Sequence, residues 1–307
     1  MDQISKHPLY SRHNIDSAIS SFWSFYKKHF VALFIISLGM SLVLQYASTT
    51  IDLKELQAIT DPLLLLEAMK GLILPMLIIS VINLLFTTIL QYYILYNPID
   101  SESNFVVSAI RSMKYFIPYL IIMVLFVFMG AIAIFLGILA LIVGVFFSIL
   151  YLITLYLFIL PVMIVEDTDI GHTINRTFAL AHKNFWSNIG WVAVFLIILI
   201  VVSIIFSGIL LLPFTGSFVK TIINPEEAAT IVDVTQRPLF IILSAFVNAL
   251  TLPFLPIFAT IIYFNARASE TELLYSATDN PENDKVKVED LYSKPYSDEH
   301  PDNPDKT

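Results

Sequence analysis

The chain has 307 residues, of which 57% are hydrophobic and only 14% are charged. Soluble domains average roughly 45–50% apolar and 25% charged residues, so this composition excludes an ordinary soluble protein. The formal net charge is −8, but residues 270–307 hold 11 acids and four lysines, which leaves the remainder nearly neutral. No basic surface for nucleic acid is therefore expected, and the absence of cysteine excludes disulfides and thiolate metal sites.

The first two long apolar runs cover residues 30–48 and 72–96. A bilayer span needs about 20 consecutive apolar residues, so each run is long enough to cross. The first run follows 29 mostly polar residues and has no small-residue cleavage site after it, which predicts a retained span rather than a signal peptide. A capping signal at Thr60 and Pro62 at a first helical turn predict a short outer helix that runs into the second span.

The longest run, residues 116–165, contains no charge. As one helix it would be about 75 Å long, more than twice the hydrocarbon thickness, so it must be two helices. We expect the turn between them near Gly137 to Gly144. Residues 189–212 and 239–266 form the fifth and sixth runs. The sequence therefore predicts six spans.

The distribution of lysine and arginine beside the spans predicts the orientation. With the amino terminus in the cytoplasm, nine of these residues lie inside, against only Lys54, Lys70, Lys220 and Arg237 outside. The nine are Lys6, Arg12, Lys27, Lys28, Arg111, Lys114, Arg176, Lys183 and Arg267. Both termini are therefore expected to be cytoplasmic.

Three segments that precede odd-numbered spans share apolar residues at helical spacing. Residues 170–185 (IGHTINRTFALAHKNF) align without a gap on residues 15–30 (IDSAISSFWSFYKKHF), and residues 105–116 (FVVSAIRSMKYF) are a third version. In residues 170–185 the cations lie away from the apolar face, so the segment suits the membrane interface and cannot span. Asp167, Thr168 and Asp169 offer capping oxygens before it. The sequence predicts a threefold repeat of one interfacial helix followed by two spans.

These observations predict an all-α polytopic membrane protein with six transmembrane helices and interfacial amphipathic helices on the cytoplasmic side. Residues 1–29 are expected to form a cytoplasmic N-terminal segment with an interfacial helix, and residues 30–267 the six-span membrane domain. Residues 268–307 are rich in acids and proline and poor in apolar residues. We expect them to be a disordered acidic cytoplasmic tail.

The segment between spans four and five carries Pro161, Glu166, Arg176 and Trp186, and the sixth span closes with YFNAR at residues 263–267. This pattern resembles the signature of the bacterial membrane domain fused to some glycerophosphoryl diester phosphodiesterases, and of related stand-alone multi-span proteins. Thr177 stands where that family has a serine, and Asn265 where it commonly has an acid. The resemblance implies a bacterial inner-membrane protein. It transfers no chemistry, because the phosphodiesterase activity belongs to a separate soluble barrel of roughly 250 residues.

Ionisable residues deep in a span are functional candidates by default, but the six predicted spans contain none. A proton-coupled pump or an ion-coupled transporter is therefore disfavoured. No catalytic, cofactor or metal site is predicted, since His172 and His182 have no third ligand nearby in the sequence. We expect a protein that is not an enzyme.

Two groups of residues remain as candidate sites. Charged residues beside the membrane are candidates for lipid-headgroup contacts or structural ion pairs: Glu166, Arg176, Lys183, Arg111, Lys114, Lys27, Lys28 and Arg267. For Glu166 and Arg176, an ion pair with one another and exposure to water are equally compatible with the sequence. Polar residues at depth and a helix-breaking proline indicate a possible cavity at Asn83, Gln91, Asn248 and Pro253, although hydrogen bonds between neighbouring helices are the commoner role of such residues.

The leading functional hypothesis is a non-enzymatic integral membrane protein that organises or assists envelope lipids or partner proteins. The alternative is a transporter or carrier of a lipid or small amphiphile. Membrane lipids are the expected partners, with a membrane-protein partner as a further possibility and no nucleic acid.

Overall fold

The computed structural model describes residues 3–51, 59, 61–100, 102–216, 223, 234 and 236–278. Within these residues the chain forms nine α-helices and no strand. The helices are α1 (Ile15–Lys28), α2 (Phe30–Ser48), α3 (Pro62–Tyr96), α4 (Phe105–Leu139), α5 (Leu141–Glu166), α6 (Ile170–Lys183), α7 (Phe185–Leu211), α8 (Pro238–Thr251) and α9 (Phe254–Thr278).

Six helical stretches in the described part of the chain are long and apolar enough to cross a membrane. They are α2, α3, α4, α5, α7 and the consecutive pair α8 and α9. This confirms the prediction of an all-α polytopic membrane protein. The helix that leads into the second span is continuous with it, and Asp61 caps α3 by accepting a hydrogen bond from the backbone nitrogen of Leu63 at 2.8 Å.

Helices α1 and α6 begin and end at corresponding positions of the aligned segments. The Asn14 side chain caps α1 by accepting a hydrogen bond from the backbone nitrogen of Ser17 at 2.8 Å. The Asp169 side chain caps α6 by accepting one from the backbone nitrogen of His172, also at 2.8 Å. A single residue, His29 or Asn184, separates each helix from the following span. The two segments therefore form the same local structure.

The third segment differs from the prediction of a separate interfacial helix. Residues 105–116 are the first turns of α4, which begins after the cap Asn104 and continues through Pro118 to Leu139. No capping residue interrupts the chain before the span, so the backbone hydrogen bonds continue. With 35 residues, α4 is about 52 Å long and its first turns extend beyond the roughly 30 Å hydrocarbon layer.

The predicted turn within the long charge-free run lies at Ala140, between α4 and α5. The backbones cross so closely there that a Cβ atom added at Gly137 would lie 2.9 Å from the carbonyl oxygen of Gly144. A Cβ atom added at Gly144 would in turn overlap the carbonyl oxygen of Gly137. The two glycines are therefore needed for this crossing.

The sixth span is broken between Thr251 and Phe254, where Leu252 and Pro253 form a turn. Helix α8 packs mainly against α2 and α7, whereas α9 packs against α5, α3 and α1. The break therefore allows one span to change its packing partners at membrane depth. Proline at this point removes a backbone donor and explains the interruption.

Residues 268–278 of the predicted tail are helical, because α9 continues through Thr278. Glu270 lies in the last part of α9, and its carboxylate accepts a hydrogen bond from Arg176 on α6. The remainder of the predicted tail, residues 279–307, lies outside the described residues.

The N-terminal segment packs into the helical core at the ends of α3 and α9. Ile4 and Leu9 are buried, and the His7 Nε2 atom donates a hydrogen bond to the Ile94 carbonyl at 3.0 Å. The His13 backbone nitrogen donates to the Asn265 side chain at 2.8 Å. Residues before the first amphipathic helix are therefore part of the core, at the end that carries most of the charged residues the structure describes.

Candidate functional site

The guanidinium of Arg176 on α6 lies between two carboxylates from other helices. Its Nε atom donates to Glu166 Oε1 at 3.1 Å, and its Nη1 atom donates to Glu270 Oε1 at 3.0 Å. Nη2 contacts the other oxygen of Glu270. Hydrogen bonds from the guanidinium to Glu270, and then to Glu166, raise the pKa of Arg176 above its ordinary value. Of the two alternatives for Glu166 and Arg176, the ion pair is confirmed.

Further polar groups join these three side chains. The Tyr263 hydroxyl donates to Glu166 Oε1 at 3.1 Å, and Arg267 Nη1 donates to the Tyr263 hydroxyl at 3.3 Å. Lys183 Nζ lies 3.6 Å from Glu270 Oε1. We call Glu166, Arg176, Lys183, Tyr263, Arg267 and Glu270 the charged cluster. It connects the end of α5 to α6 and to the last part of α9.

A second set of charged contacts involves the first turns of α4. Lys114 Nζ lies 2.6 Å from Asp167 Oδ1, to which the Tyr115 hydroxyl also donates at 2.9 Å. These hydrogen bonds lower the pKa of Asp167, which ends α5 in the left-handed conformation at φ 48°. Arg111 Nη1 pairs with Asp100 Oδ2 at 2.9 Å. Lys114 and Arg111 are candidates from the sequence, but no local pattern indicates these acidic partners.

Most headgroup candidates therefore form contacts within the protein. Glu166, Arg176, Lys183, Arg111 and Lys114 have polar partners on other segments, and Arg267 contacts Tyr263 one turn earlier on α9. Lys27 and Lys28 lie exposed in the last turn of α1. These two lysines remain as the cations best placed to contact lipid headgroups.

A cavity of about 280 Å³ lies beside the break between α8 and α9. Polar and apolar side chains from α3, α5, α7 and the break line it: Asn83, Phe86, Thr87, Leu90, Tyr156, Leu199, Ser203, Thr251, Leu252, Leu255 and Pro256. We call this space the break cavity. A narrower cleft shares Thr87, Tyr156, Leu255 and Pro256 with it and extends to Gln91 and Tyr119.

Two polar side chains of the break cavity have unused hydrogen-bonding capacity. Neither the Asn83 amide nor the Ser203 hydroxyl has a hydrogen-bond partner among the described residues. The Tyr156 hydroxyl interacts with that of Tyr119. Thr87, by contrast, is satisfied by donating to the Asn83 carbonyl at 2.9 Å. The cavity thus presents one amide and one hydroxyl group without a partner among the described residues.

The predicted cavity residues divide into two pairs. Asn83 lines the break cavity and Gln91 lines the adjoining cleft, where its amide donates to Thr260 Oγ1 at 2.8 Å. Asn248 and Pro253 do not line either space. Asn248 is exposed on α8. A cavity role for Asn248 and Pro253 therefore stays a prediction.

Sequence reasoning missed Tyr156 and Ser203. Both lie in runs without charge, where tyrosine and serine are common packing residues, and no local pattern brings α5 and α7 to the same side of α3. Only the packing of the break identifies them. No group of three or more His, Cys, Asp and Glu side chains that could hold a metal ion occurs among the residues the structure describes.

Comparison with models of known families, with curated proteins and with solved structures returns no match.

Proposed function

We propose that this integral membrane protein binds a lipid or another small amphiphile in the break cavity and acts as its carrier, without catalysis. The observation that supports this proposal is the convergence of Asn83, Tyr156 and Ser203 on one space beside the broken span. An unpaired polar group at membrane depth costs several kcal/mol because lipid tails offer no hydrogen bonds. Occupancy by a ligand with polar atoms offsets this cost.

The lining also favours a ligand with an apolar part. Phe86, Leu90 and Leu255 complete the wall of the break cavity. A second space along α7, lined by Leu199, Ser203 and Leu211 among others, shares Leu199 and Ser203 with it. An amphiphile therefore fits with its polar group beside Asn83 and its apolar chain along α7. Broken helices form the substrate sites of several transporter folds, which agrees with a carrier.

The protein purified in detergent tests the proposal in a thermal-shift screen against lipids and single-chain amphiphiles. We expect one class of amphiphile to raise the melting temperature, and Asn83→Leu to abolish that rise. Asn248→Leu is the matched control, because it makes the same substitution on a span but outside the cavity. Equal responses of both variants to every compound would contradict binding in the break cavity.

A second candidate function is the organisation of anionic lipids or of partner proteins at the membrane surface. The exposed Lys27 and Lys28 on amphipathic α1 support it, since each cation near an anionic surface contributes about 1 kcal/mol. In this case any anionic phospholipid should stabilise the protein in a graded way. Replacing both lysines with glutamine should remove the response, whereas Asn83→Leu should leave it unchanged.

For the location we propose a bacterial inner membrane with both termini in the cytoplasm. The excess of cations at the end formed by α1, α6 and the last turns of α9 supports this orientation. The resemblance of residues 161–186 to the phosphodiesterase membrane domain supports the bacterial source. Since the chain has no native cysteine, Asn184→Cys provides a single label. It should react with a membrane-impermeant reagent only when the cytoplasmic side is accessible, and reaction from outside alone would reverse the orientation.

A further inference from the structure

A second cavity lies beneath α6, on a side of the protein that the break cavity does not reach. Its volume is about 150 Å³, and residues of α4, α5 and α6 line it: Ile122, Leu125, Phe126, Met129, Leu155, Ile159, Ile174, Thr177 and Phe178. Eight of these nine side chains are apolar. A cavity of similar volume lined by Leu, Ile and Phe stays dry and binds apolar molecules in another protein.

Thr177 is the one polar residue among the nine that line this cavity, and its hydroxyl has no partner. The residue is 2% exposed, and its Oγ1 atom forms no hydrogen bond with any described residue. Thr173, one turn earlier, donates to the Asp169 carbonyl at 2.7 Å. Threonine in a helix commonly forms this bond, so Thr177 is the exception within its own helix.

Water is a poor partner for this hydroxyl. An ordered buried water usually makes about three hydrogen bonds, and the other lining residues have no polar side-chain atoms. The group that best fits this space is therefore mostly apolar and carries one hydrogen-bond acceptor at one end.

The position of Thr177 indicates which acceptor meets it. The preceding residue, Arg176, pairs with carboxylates at 25% side-chain exposure, so this side of α6 meets the aqueous boundary. Thr177 and Ile174 line the cavity together with apolar side chains that lie two or more turns inside α4 and α5, so apolar packing begins directly beneath α6. The acyl ester carbonyls of a phospholipid lie at this boundary between headgroups and hydrocarbon. Leu125, which is 50% exposed, gives the cavity an edge that faces the bilayer.

We propose that this cavity binds the part of one phospholipid acyl chain nearest its ester, with the Thr177 hydroxyl donating a hydrogen bond to the ester carbonyl and the rest of the chain leaving past Leu125. The chain then lies between α4 and α5, beside Phe126, Met129 and Ile159. The bound lipid fills space under α6 and supports this helix against the spans. This site is separate from the break cavity and does not depend on the function proposed for it.

Two matched pairs of variants test the proposal. Thr177→Val removes the unpaired hydroxyl with little change in shape, and its control is Thr154→Val on α5, whose hydroxyl already donates to the Leu150 carbonyl at 2.8 Å. Leu125→Phe narrows the edge of the cavity. Its control is Val124→Phe, because Val124 is 51% exposed and does not line the cavity.

The measurement is photolabelling in phosphatidylcholine nanodiscs that contain a phosphatidylglycerol with a diazirine in one acyl chain. We expect labels on Met129 and Phe178. The half-saturating mole fraction of the probe should rise about three- to tenfold in Thr177→Val, which corresponds to the loss of one hydrogen bond. Leu125→Phe should suppress the labels, and neither control should change them. Thermal denaturation of Thr177→Val without the probe should show an unchanged or higher melting temperature, because an unpaired hydroxyl is removed.

Three results would overturn the proposal. The first is equal labelling of Leu125→Phe and Val124→Phe, as expected for lipids that only surround the spans. The second is an unchanged half-saturating fraction in Thr177→Val. The third is labelling by a free fatty acid with the same diazirine when the phospholipid does not label, which would assign the cavity to a different ligand.

Discussion

Arg176 and Glu270 bind one another although 94 positions separate them in the chain. The Arg176 Nη1 atom donates to Glu270 Oε1 at 3.0 Å, and Nη2 contacts the second oxygen. Because Glu166 holds the Nε atom of the same guanidinium, one side chain joins the end of α5, helix α6 and the last turns of α9. The charged cluster thus holds amphipathic α6 against the spans.

Arg176→Met should destabilise the protein, because it leaves Glu166 and Glu270 without their main partner. Both carboxylates are largely shielded from solvent. Hydrogen bonds to charged groups contribute about 1.5–3 kcal/mol, so we expect a loss of about 2 kcal/mol. Thermal denaturation in detergent measures it. Arg111→Met is the control, since its pair with Asp100 is more exposed, and exposed ion pairs contribute little to stability. Equal losses would mean that the charged cluster has no special role.

Gly144→Ala should destabilise the turn between α4 and α5. The added methyl group overlaps the Gly137 carbonyl and the Ala140 side chain, so the two helices must separate, at a cost of about 1–3 kcal/mol. Gly208→Ala on α7 is the matched control, because no other group lies within 4 Å of its added Cβ atom. We expect that control to be neutral or slightly stabilising. A melting temperature of Gly144→Ala at or above that of Gly208→Ala would contradict the close crossing.

Acid should weaken the protein through His7. Burial lowers the pKa of this imidazole from 6.5 to about 4, so between these values the unfolded chain binds a proton that the folded chain does not. The contribution of neutral His7 to the free energy of unfolding is complete above pH 6.5 and is lost as the pH falls to about 4. The loss is on the order of 3 kcal/mol.

The measurement for His7 is the melting temperature between pH 4 and pH 8. His7→Gln retains a donor for the Ile94 carbonyl and does not titrate, so its profile should be flatter than that of the native protein. His172→Gln, which alters an exposed histidine on α6, should keep the native profile. A native slope in His7→Gln would assign the acid sensitivity to other groups.

The sequence predicts those features that depend on local composition. Charge-free runs of sufficient length identified the spans, and the excess length of residues 116–165 required the turn at Ala140. The capping role of Asp169 and the matching bounds of α1 and α6 also follow from local patterns. Residues 105–116 show the same periodicity and yet continue into α4, because periodicity does not encode a helix end in the absence of a capping residue.

Features that depend on distant partners could not be predicted. The residues around Glu270 have the composition of a solvated tail. Glu270 belongs to the charged cluster because Arg176, on another helix, donates a hydrogen bond to it. His7 similarly depends on a carbonyl 87 positions away. In the break cavity, Asn83 was identified because an amide in a span is unusual. Ser203 and Tyr156 were not identified, because they reach the cavity only through the packing of α7 and α5 beside the break between α8 and α9.

Native mass spectrometry of the protein released from its membrane tests binding in the break cavity most directly. We expect one tightly held amphiphile on the native protein and on Asn248→Leu, and its loss from Asn83→Leu and Ser203→Leu. Those two variants change polar groups that face the cavity, whereas Asn248 lies outside it. Retention of the same ligand in all four proteins, or the absence of any ligand from the native protein, would contradict binding in the break cavity.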